Sequence, residues 1–186
     1  MFKVAISPGH GMTTKRGRVV ADPGVVVEGV AEHELTSSVA SLLYLLLSTY
    51  PGVASYLVPP LTLQEKVRLI NDFEPHLALE VHFNWSKRHT GDTEVLYFPT
   101  SAMGKTFAEV FLGDLCRDLG TASRGIKGRS DLFFLKGTKV PSIIVEPVFL
   151  SDDKHRHELV HGFLRQEIAF SLARTIAKIA EGWEVS

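Results

Sequence analysis

Apolar and polar positions follow two patterns along this chain, one typical of buried strands and one typical of amphipathic helices. Short apolar runs bounded by Pro, Gly or charged residues predict six strands, at residues 2–6, 53–58, 77–83, 93–98, 132–135 and 142–145. Apolar residues at helical spacing predict four helices, one from Glu32 to just before Pro51-Gly52 and the others at residues 63–73, 102–119 and about 158–180. Residues 11–31, rich in Gly, Val and basic side chains, are expected to form an excursion at one end of the sheet.

The alternation of strands and helices favours an α/β fold, with helices on both sides of a mixed, mostly parallel central sheet of about six strands. A length of 186 residues is typical of one domain, so residues 1–186 are expected to form a single catalytic domain with three α/β/α layers. No linker, repeat or low-complexity tract indicates an attached binding module. No apolar run reaches the ~20 residues of a membrane span, and the first strand begins without a signal-type segment. We therefore expect synthesis in the cytoplasm without an export signal of its own.

Charge and cysteine content exclude several classes of protein. Lys and Arg number 20 and Asp and Glu 21, for a net charge of −1, so a polybasic nucleic-acid-binding protein is excluded. The single cysteine, Cys116, excludes an intramolecular disulfide and a Cys-rich zinc site.

Residues that could bind a ligand or take part in catalysis lie just after predicted strands, where open α/β sheets form their ligand crevice. His10, His82 and Glu146 follow three strands, and Glu32 begins a helix. Two imidazoles and a carboxylate are a known catalytic zinc set that leaves one position for water. A further glutamate that is not a ligand is needed to accept the proton of that water, and Glu146 suits this role because the apolar strand before it limits its solvation.

Four segments together are similar to one known family. They are SPGHG at residues 7–11, EHELT at 32–36, EVHFN at 80–84 and IVEPVFLSD at 144–152. In order and approximate spacing they resemble the zinc-dependent N-acetylmuramoyl-L-alanine amidases of the Amidase_3 type. The resemblance covers nearly the whole chain, including residues 91–97 and 124–127.

The resemblance implies that His10, Glu32 and His82 bind Zn²⁺ and that Glu146 is the catalytic glutamate. The implied reaction is hydrolysis of the amide bond between N-acetylmuramic acid and L-alanine in peptidoglycan. We expect a monomer that acts on the cell wall without a separate wall-binding module, as a phage or prophage endolysin does.

The chain departs from the family at two positions near the proposed metal. The family usually has Asp where Ser7 stands and a small residue where Glu80 stands. Glu80 precedes His82 by two residues on the same strand face, so its side chain either points toward the metal region or marks a solvated strand end.

Basic residues cluster in the loops around the proposed site and are either scattered surface charge or a rim that holds stem-peptide carboxylates. They are Lys15, Arg16, Arg18, Lys87, Arg88, Arg124, Lys127 and Arg129. Asn84, Arg124 and Lys127 are predicted to bind substrate.

A rival motif, HELVH at residues 157–161, matches the H-E-x-x-H signature of zincin peptidases, with Glu181 as a possible third ligand. If the last helix is continuous, twenty residues at about 1.5 Å each carry Glu181 about 30 Å away. A polar stretch at the start of that helix is the simpler interpretation. The alternatives to the amidase are thus a zincin-type or carboxypeptidase-like metallopeptidase and a peptidoglycan-binding pseudoenzyme.

Overall fold

The computed structural model describes residues 1–87 and 92–183 of the chain. The strands are β1 (Phe2–Pro8), β2 (Gly11–Lys15), β3 (Arg18–Asp22), β4 (Val26–Val27), β5 (Val30–Ala31), β6 (Val53–Leu57), β7 (Leu77–Val81), β8 (Thr93–Tyr97), β9 (Ser123–Gly128) and β10 (Ser142–Glu146). The helices are α1 (Glu32–Leu47), α2 (Leu63–Phe73), α3 (Ala102–Leu119), α4 (Phe133–Gly137), α5 (Asp153–His161) and α6 (Phe163–Trp183).

Six strands form the central sheet in the order β6-β1-β7-β10-β8-β9. All neighbours are parallel except β10 and β8, which are antiparallel. The expected single-domain α/β fold with a mixed, mostly parallel sheet of six strands is confirmed. Alternate residues of each strand face opposite sides, so Val4 and Ile6 pack in the larger core with α1, α3 and α6, whereas Ala5 packs in the smaller core with α2 and α4.

One of the six strands of the central sheet differs from the prediction. Residues 132–135 are not a strand, because Phe133–Gly137 forms the short helix α4, with Phe134 and Leu135 buried against α2. A four-residue apolar run is compatible with a strand or a helix, so tertiary packing determines which of the two it forms. The sixth strand is β9, which the pattern missed because an edge strand with the sequence SRGIKG has only one apolar residue.

The last predicted helix is divided into two. Helix α5 ends at His161, and Gly162 has a φ of 92°, a left-handed conformation that ends a helix. Helix α6 then begins at Phe163 and packs against α1 and α3. No helix of the described residues is both long and apolar enough to span a membrane.

The excursion at residues 11–31 forms two hairpins beside the carboxyl end of β1. Strand β2 pairs with β3 and β4 with β5, both antiparallel. These hairpins carry the chain from the end of β1 back to the start of α1.

Candidate active site

The carboxyl ends of β1 and β7 bring two histidines together. The two strands are parallel neighbours, with Pro8 opposite Val81, so His10 and His82 emerge side by side. Their ring centroids are 4.9 Å apart. Close approach depends on Gly9, because a Cβ at this position would lie 2.7 Å from the carbonyl oxygen of Val81 and from Cε1 of His82.

Glu32, the first residue of α1, completes the group. Its Oε2 lies 2.9 Å from Nε2 of His10, and its Oε1 lies 3.0 Å from Nδ1 of His82. One potential ligand atom from each residue lies within 4.8 Å of the other two, a spacing that suits a metal ion. The set of two imidazoles and one carboxylate is a set that zinc prefers. The residues present therefore fit a zinc ion.

The Glu32 carboxylate is buried, with 2% of its surface exposed, and is oriented by backbone groups. It accepts hydrogen bonds from the N–H groups of Val25 at 3.1 Å and Phe83 at 3.0 Å. Burial alone would raise the pKa of Glu32, but hydrogen bonds with His10 and His82 outweigh burial and hold the pKa well below its ordinary range. Glu32 is thus ionised at neutral pH, as a metal ligand must be.

Each histidine also has a carboxylate at its second ring nitrogen. Oδ2 of Asp22 lies 3.2 Å from Nδ1 of His10, and Oε2 of Glu80 lies 3.2 Å from Nε2 of His82. Carboxylates at this place fix the orientation and tautomer of metal-binding histidines. Glu80 is only 3% exposed, so the interpretation of Glu80 as a solvated strand end is wrong. Asp22, in the second hairpin strand, carried no signal in the sequence that pointed to His10.

The carboxylates change the protonation of the two imidazoles. Burial lowers the pKa of His82, but hydrogen bonds to Glu32 and Glu80 raise it overall, to about 10. In the same way, contacts with Glu32 and Asp22 outweigh burial and raise the pKa of His10. A metal ion therefore competes with protons for both rings when it binds.

Glu146, the last residue of β10, lines a cavity of about 400 Å³ together with His10, Glu32 and His82. Its Oε2 is buried and has no hydrogen-bond partner among residues 1–87 and 92–183. Burial, together with repulsion from Glu94 on the neighbouring strand, raises the pKa of Glu146 to about 7. A carboxyl group with a pKa near neutrality can both accept and return a proton.

The three residues predicted to bind substrate all contact the carboxylate of Glu94. Nε of Arg124 lies 3.1 Å from Oε2 of Glu94, and the Lys127 ammonium donates to the same oxygen. Nδ2 of Asn84 donates to Oε1 at 2.9 Å. Burial raises the pKa of Glu94, but the contacts with Lys127 and Arg124 outweigh it and hold the pKa below its ordinary value. Glu94 was not predicted from the sequence. The one feature that could have indicated it is a charged residue within the apolar run at 93–98.

The other described basic residues are exposed or paired with an acid. Lys15, Arg16 and Arg18 are exposed on the β2–β3 hairpin, and Arg129 pairs with Asp131 at 2.7 Å. Arg88 and Gly91 lie outside the described residues.

The HELVH motif lies on α5. His157 and His161 are exposed, with ring centroids 4.2 Å apart. Among residues 1–87 and 92–183, the one group of three side chains with metal-ligand spacing is His10, Glu32 and His82. The described residues thus provide no third ligand at the motif.

The fold and this group of side chains define a class: an α/β protein with a crevice at the carboxyl ends of its parallel strands, lined by three side chains that could hold a metal ion. The family profile described as N-acetylmuramoyl-L-alanine amidase, Amidase_3, matches residues 4–178, and the chain belongs to this family. The resemblance drawn from the four sequence segments is confirmed.

One curated relative is the N-acetylmuramoyl-L-alanine amidase LytC of Bacillus subtilis (strain 168), 26% identical over 177 residues. The match covers 89% of this chain but only 33% of LytC, so the chain spans about a third of that relative.

Solved structures show the same fold. The amidase AmiC2 of Nostoc punctiforme superposes with a TM-score of 0.83 at 21% identity, with 97% of each chain covered. The catalytic domain of CwlV from Bacillus (Paenibacillus) polymyxa var. colistinus superposes with a TM-score of 0.85 at 22% identity, with 97% of this chain and 99% of that chain covered.

Proposed function

We propose that this chain is a zinc-dependent hydrolase that cleaves the amide bond between N-acetylmuramic acid and L-alanine in peptidoglycan. The observation that carries the proposal is the group formed by His10, Glu32 and His82, with Glu146 in the same cavity. Family membership supports the choice of substrate.

Each residue has a role that follows from its contacts. His10, Glu32 and His82 would hold the metal, which would supply Lewis acidity to acidify water and to polarise the scissile carbonyl. Glu146 accepts the proton of the attacking water at its buried Oε2 and returns this proton to the leaving amine of L-alanine. Its pKa of about 7 suits both transfers, because a base that is too weak or too strong performs only one of them.

Substrate binding is assigned to the residues around Glu94. Arg124 and Lys127 are partly exposed, with 35% and 40% of their side-chain surfaces open to solvent, and Arg124 also lies 3.6 Å from Asp92. The exposed parts of these two side chains are proposed to contact a carboxylate of the stem peptide. Asn84 lines the cavity and is proposed to contact the muramoyl-peptide there.

The test is digestion of purified peptidoglycan followed by mass spectrometry, with Glu146→Gln as the matched control. An amidase releases stem peptides with a new L-alanine amino terminus and leaves the glycan strands whole. Split stem peptides with intact muramoyl-alanine bonds would instead identify a peptidase. Binding to peptidoglycan without any product would identify a pseudoenzyme.

The proposed biological setting is lysis of the cell wall. The catalytic domain of the CD27L endolysin has the same fold, with a TM-score of 0.74 at 22% identity. Addition of the protein to cell walls in suspension should lower their turbidity, and the Glu146→Gln variant should not. Release of peptides without loss of turbidity would favour remodelling of the wall over lysis.

A further inference from the structure

Glu80 is a buried carboxylate with a defined partner at each oxygen. Its Oε2 lies 3.2 Å from Nε2 of His82. Its Oε1 accepts a hydrogen bond from Oγ of Ser7 at 3.0 Å and lies 3.9 Å from Nζ of Lys66. Ser7 and Glu80 are register partners on β1 and β7, so the sheet itself sets this geometry.

Lys66 is a cation buried to the same degree, with 1% of its surface exposed. It stands in the first turn of α2, whose start is fixed by a capping box between Thr62 and Glu65. Its ammonium donates to the carbonyl oxygens of Pro8 and His10. A buried ammonium with these acceptors, close to Glu80, balances the second carboxylate beside His82.

Lys66 also contacts the backbone of His10 at a residue with an unusual conformation. His10 has a φ of 62°, in the left-handed region that residues with a Cβ rarely adopt. Such a conformation persists only where its surroundings hold it. Lys66 thus contacts the backbone of one histidine directly and reaches the ring of the other through Glu80.

We propose that Glu80, held in place by Lys66 and Ser7, is a positioning residue that selects the His82 tautomer with its proton on Nε2 and its lone pair on Nδ1. This inference rests on the proposed zinc site. Nδ1 is the nitrogen that faces Glu32, a second proposed ligand, at 3.0 Å from its Oε1. A neutral imidazole carries one N–H, and an ionised carboxylate only accepts, so a carboxylate at Nε2 places the proton there and leaves Nδ1 free to bind metal.

The proposal makes a distinctive prediction for Glu80→Gln. The donors Ser7 and Lys66 lie on one side of the side chain, so they orient the amide oxygen of Gln toward themselves. The amide NH₂ group then faces Nε2 of His82 and donates to it, which drives the ring proton to Nδ1 and blocks the metal position. The same reversal of tautomer by an amide is what disables the Asp-to-Asn variant of a serine-protease triad.

Glu80→Ala is expected to be less harmful to zinc binding than Glu80→Gln. Glu80 and His82 both line a cavity of about 240 Å³, which gives water access to Nε2 once the side chain is removed. Water accepts or donates as the ring requires, so the metal-binding tautomer stays accessible. A purely structural role for Glu80 predicts the opposite order, since Gln fills the space and Ala leaves a void.

The experiment measures zinc affinity by competition with a chelator for the wild type, Glu80→Gln and Glu80→Ala. Zinc affinity should fall about 10- to 100-fold in the Gln variant, the range usual for loss of such a contact, and less in the Ala variant. Asp114→Asn is the control, because Asp114 is a buried acid on α3 whose partners, Arg117 and Thr175, lie on α3 and α6. Its zinc affinity should equal that of the wild type.

A second measurement does not depend on the folding of any variant. Long-range ¹H–¹⁵N NMR spectra of the zinc-bound wild type should show His82 protonated on Nε2. A proton on Nδ1, or a Gln variant that binds zinc at least as well as the Ala variant, would overturn the proposal. A wild type that binds no zinc would overturn the metal assignment itself, and the two failures are therefore distinguishable.

Discussion

The replacement of Glu146 with Gln tests both the chemistry and the electrostatics of the crevice. The amide has nearly the shape of the carboxyl group but cannot accept the proton of water. Loss of a general base typically lowers the rate by about 10²- to 10⁴-fold. Zinc content should stay unchanged, since Glu146 is outside the group of potential ligands.

The same change should stabilise the metal-free protein in one pH range. The pKa of Glu146 is raised from 4.5 to about 7, so the folded protein holds the proton more tightly than the unfolded chain does. The cost of the ionised form is absent below pH 4.5, grows as the pH rises, and is complete above pH 7. At about 1.4 kcal/mol per pKa unit, it amounts to up to about 3 kcal/mol.

The assay is urea unfolding of the metal-free wild type and the Glu146→Gln variant at several pH values between 4.5 and 8.5, a range chosen to span both ends of the titration. The variant should gain in free energy of unfolding as the pH rises, with little gain at the acid end. Glu109→Gln, which changes an exposed glutamate of α3, should show no such trend. A difference between variant and wild type that is the same at every pH would refute the electrostatic reasoning.

Three further predictions concern the metal site, the basic residues Arg124 and Lys127, and the HELVH motif. His82→Ala should lose zinc in metal analysis, and stoichiometric zinc in that variant would contradict the site. Replacement of Arg124 and Lys127 with Ala should raise KM for stem-peptide substrates more than it lowers kcat, and the effect should shrink in salt because exposed charges are screened within about 10 Å at 0.1 M. An unchanged KM at low ionic strength would show that these charges only neutralise Glu94. His161→Ala should keep zinc and change the free energy of unfolding by no more than about 0.5 kcal/mol, whereas His10→Ala should lose zinc; the reverse result would revive the zincin alternative.

Much of the fold could be predicted because burial leaves a periodic trace in the sequence. Strands β1, β7 and β10 are buried, and their apolar runs mark them clearly. Strand β9 left no such trace, since it lies at the sheet edge with most of its side chains exposed or half-buried. The run at residues 132–135 is apolar but short, and its period does not distinguish a strand from a helix.

The sequence alone also indicated which residues should meet. His10 and His82 each follow a strand, and Glu32 begins a helix, so the rule that crevices form at the carboxyl ends of parallel strands was enough to place them together. Glu146 follows the same rule. These inferences need only the local position of each residue relative to its own strand or helix.

Only the tertiary structure decided what surrounds those residues. The partners of Glu80, namely Ser7, Lys66 and His82, and the pairing of Glu94 with Arg124 depend on which strands are neighbours and in what register. A shift of one residue in a strand moves every side chain to the other face, so such contacts have no signature within a single segment. Local periodicity determines which side chains are buried, and the non-local pairing of the strands determines which buried charges lie within hydrogen-bonding distance of one another.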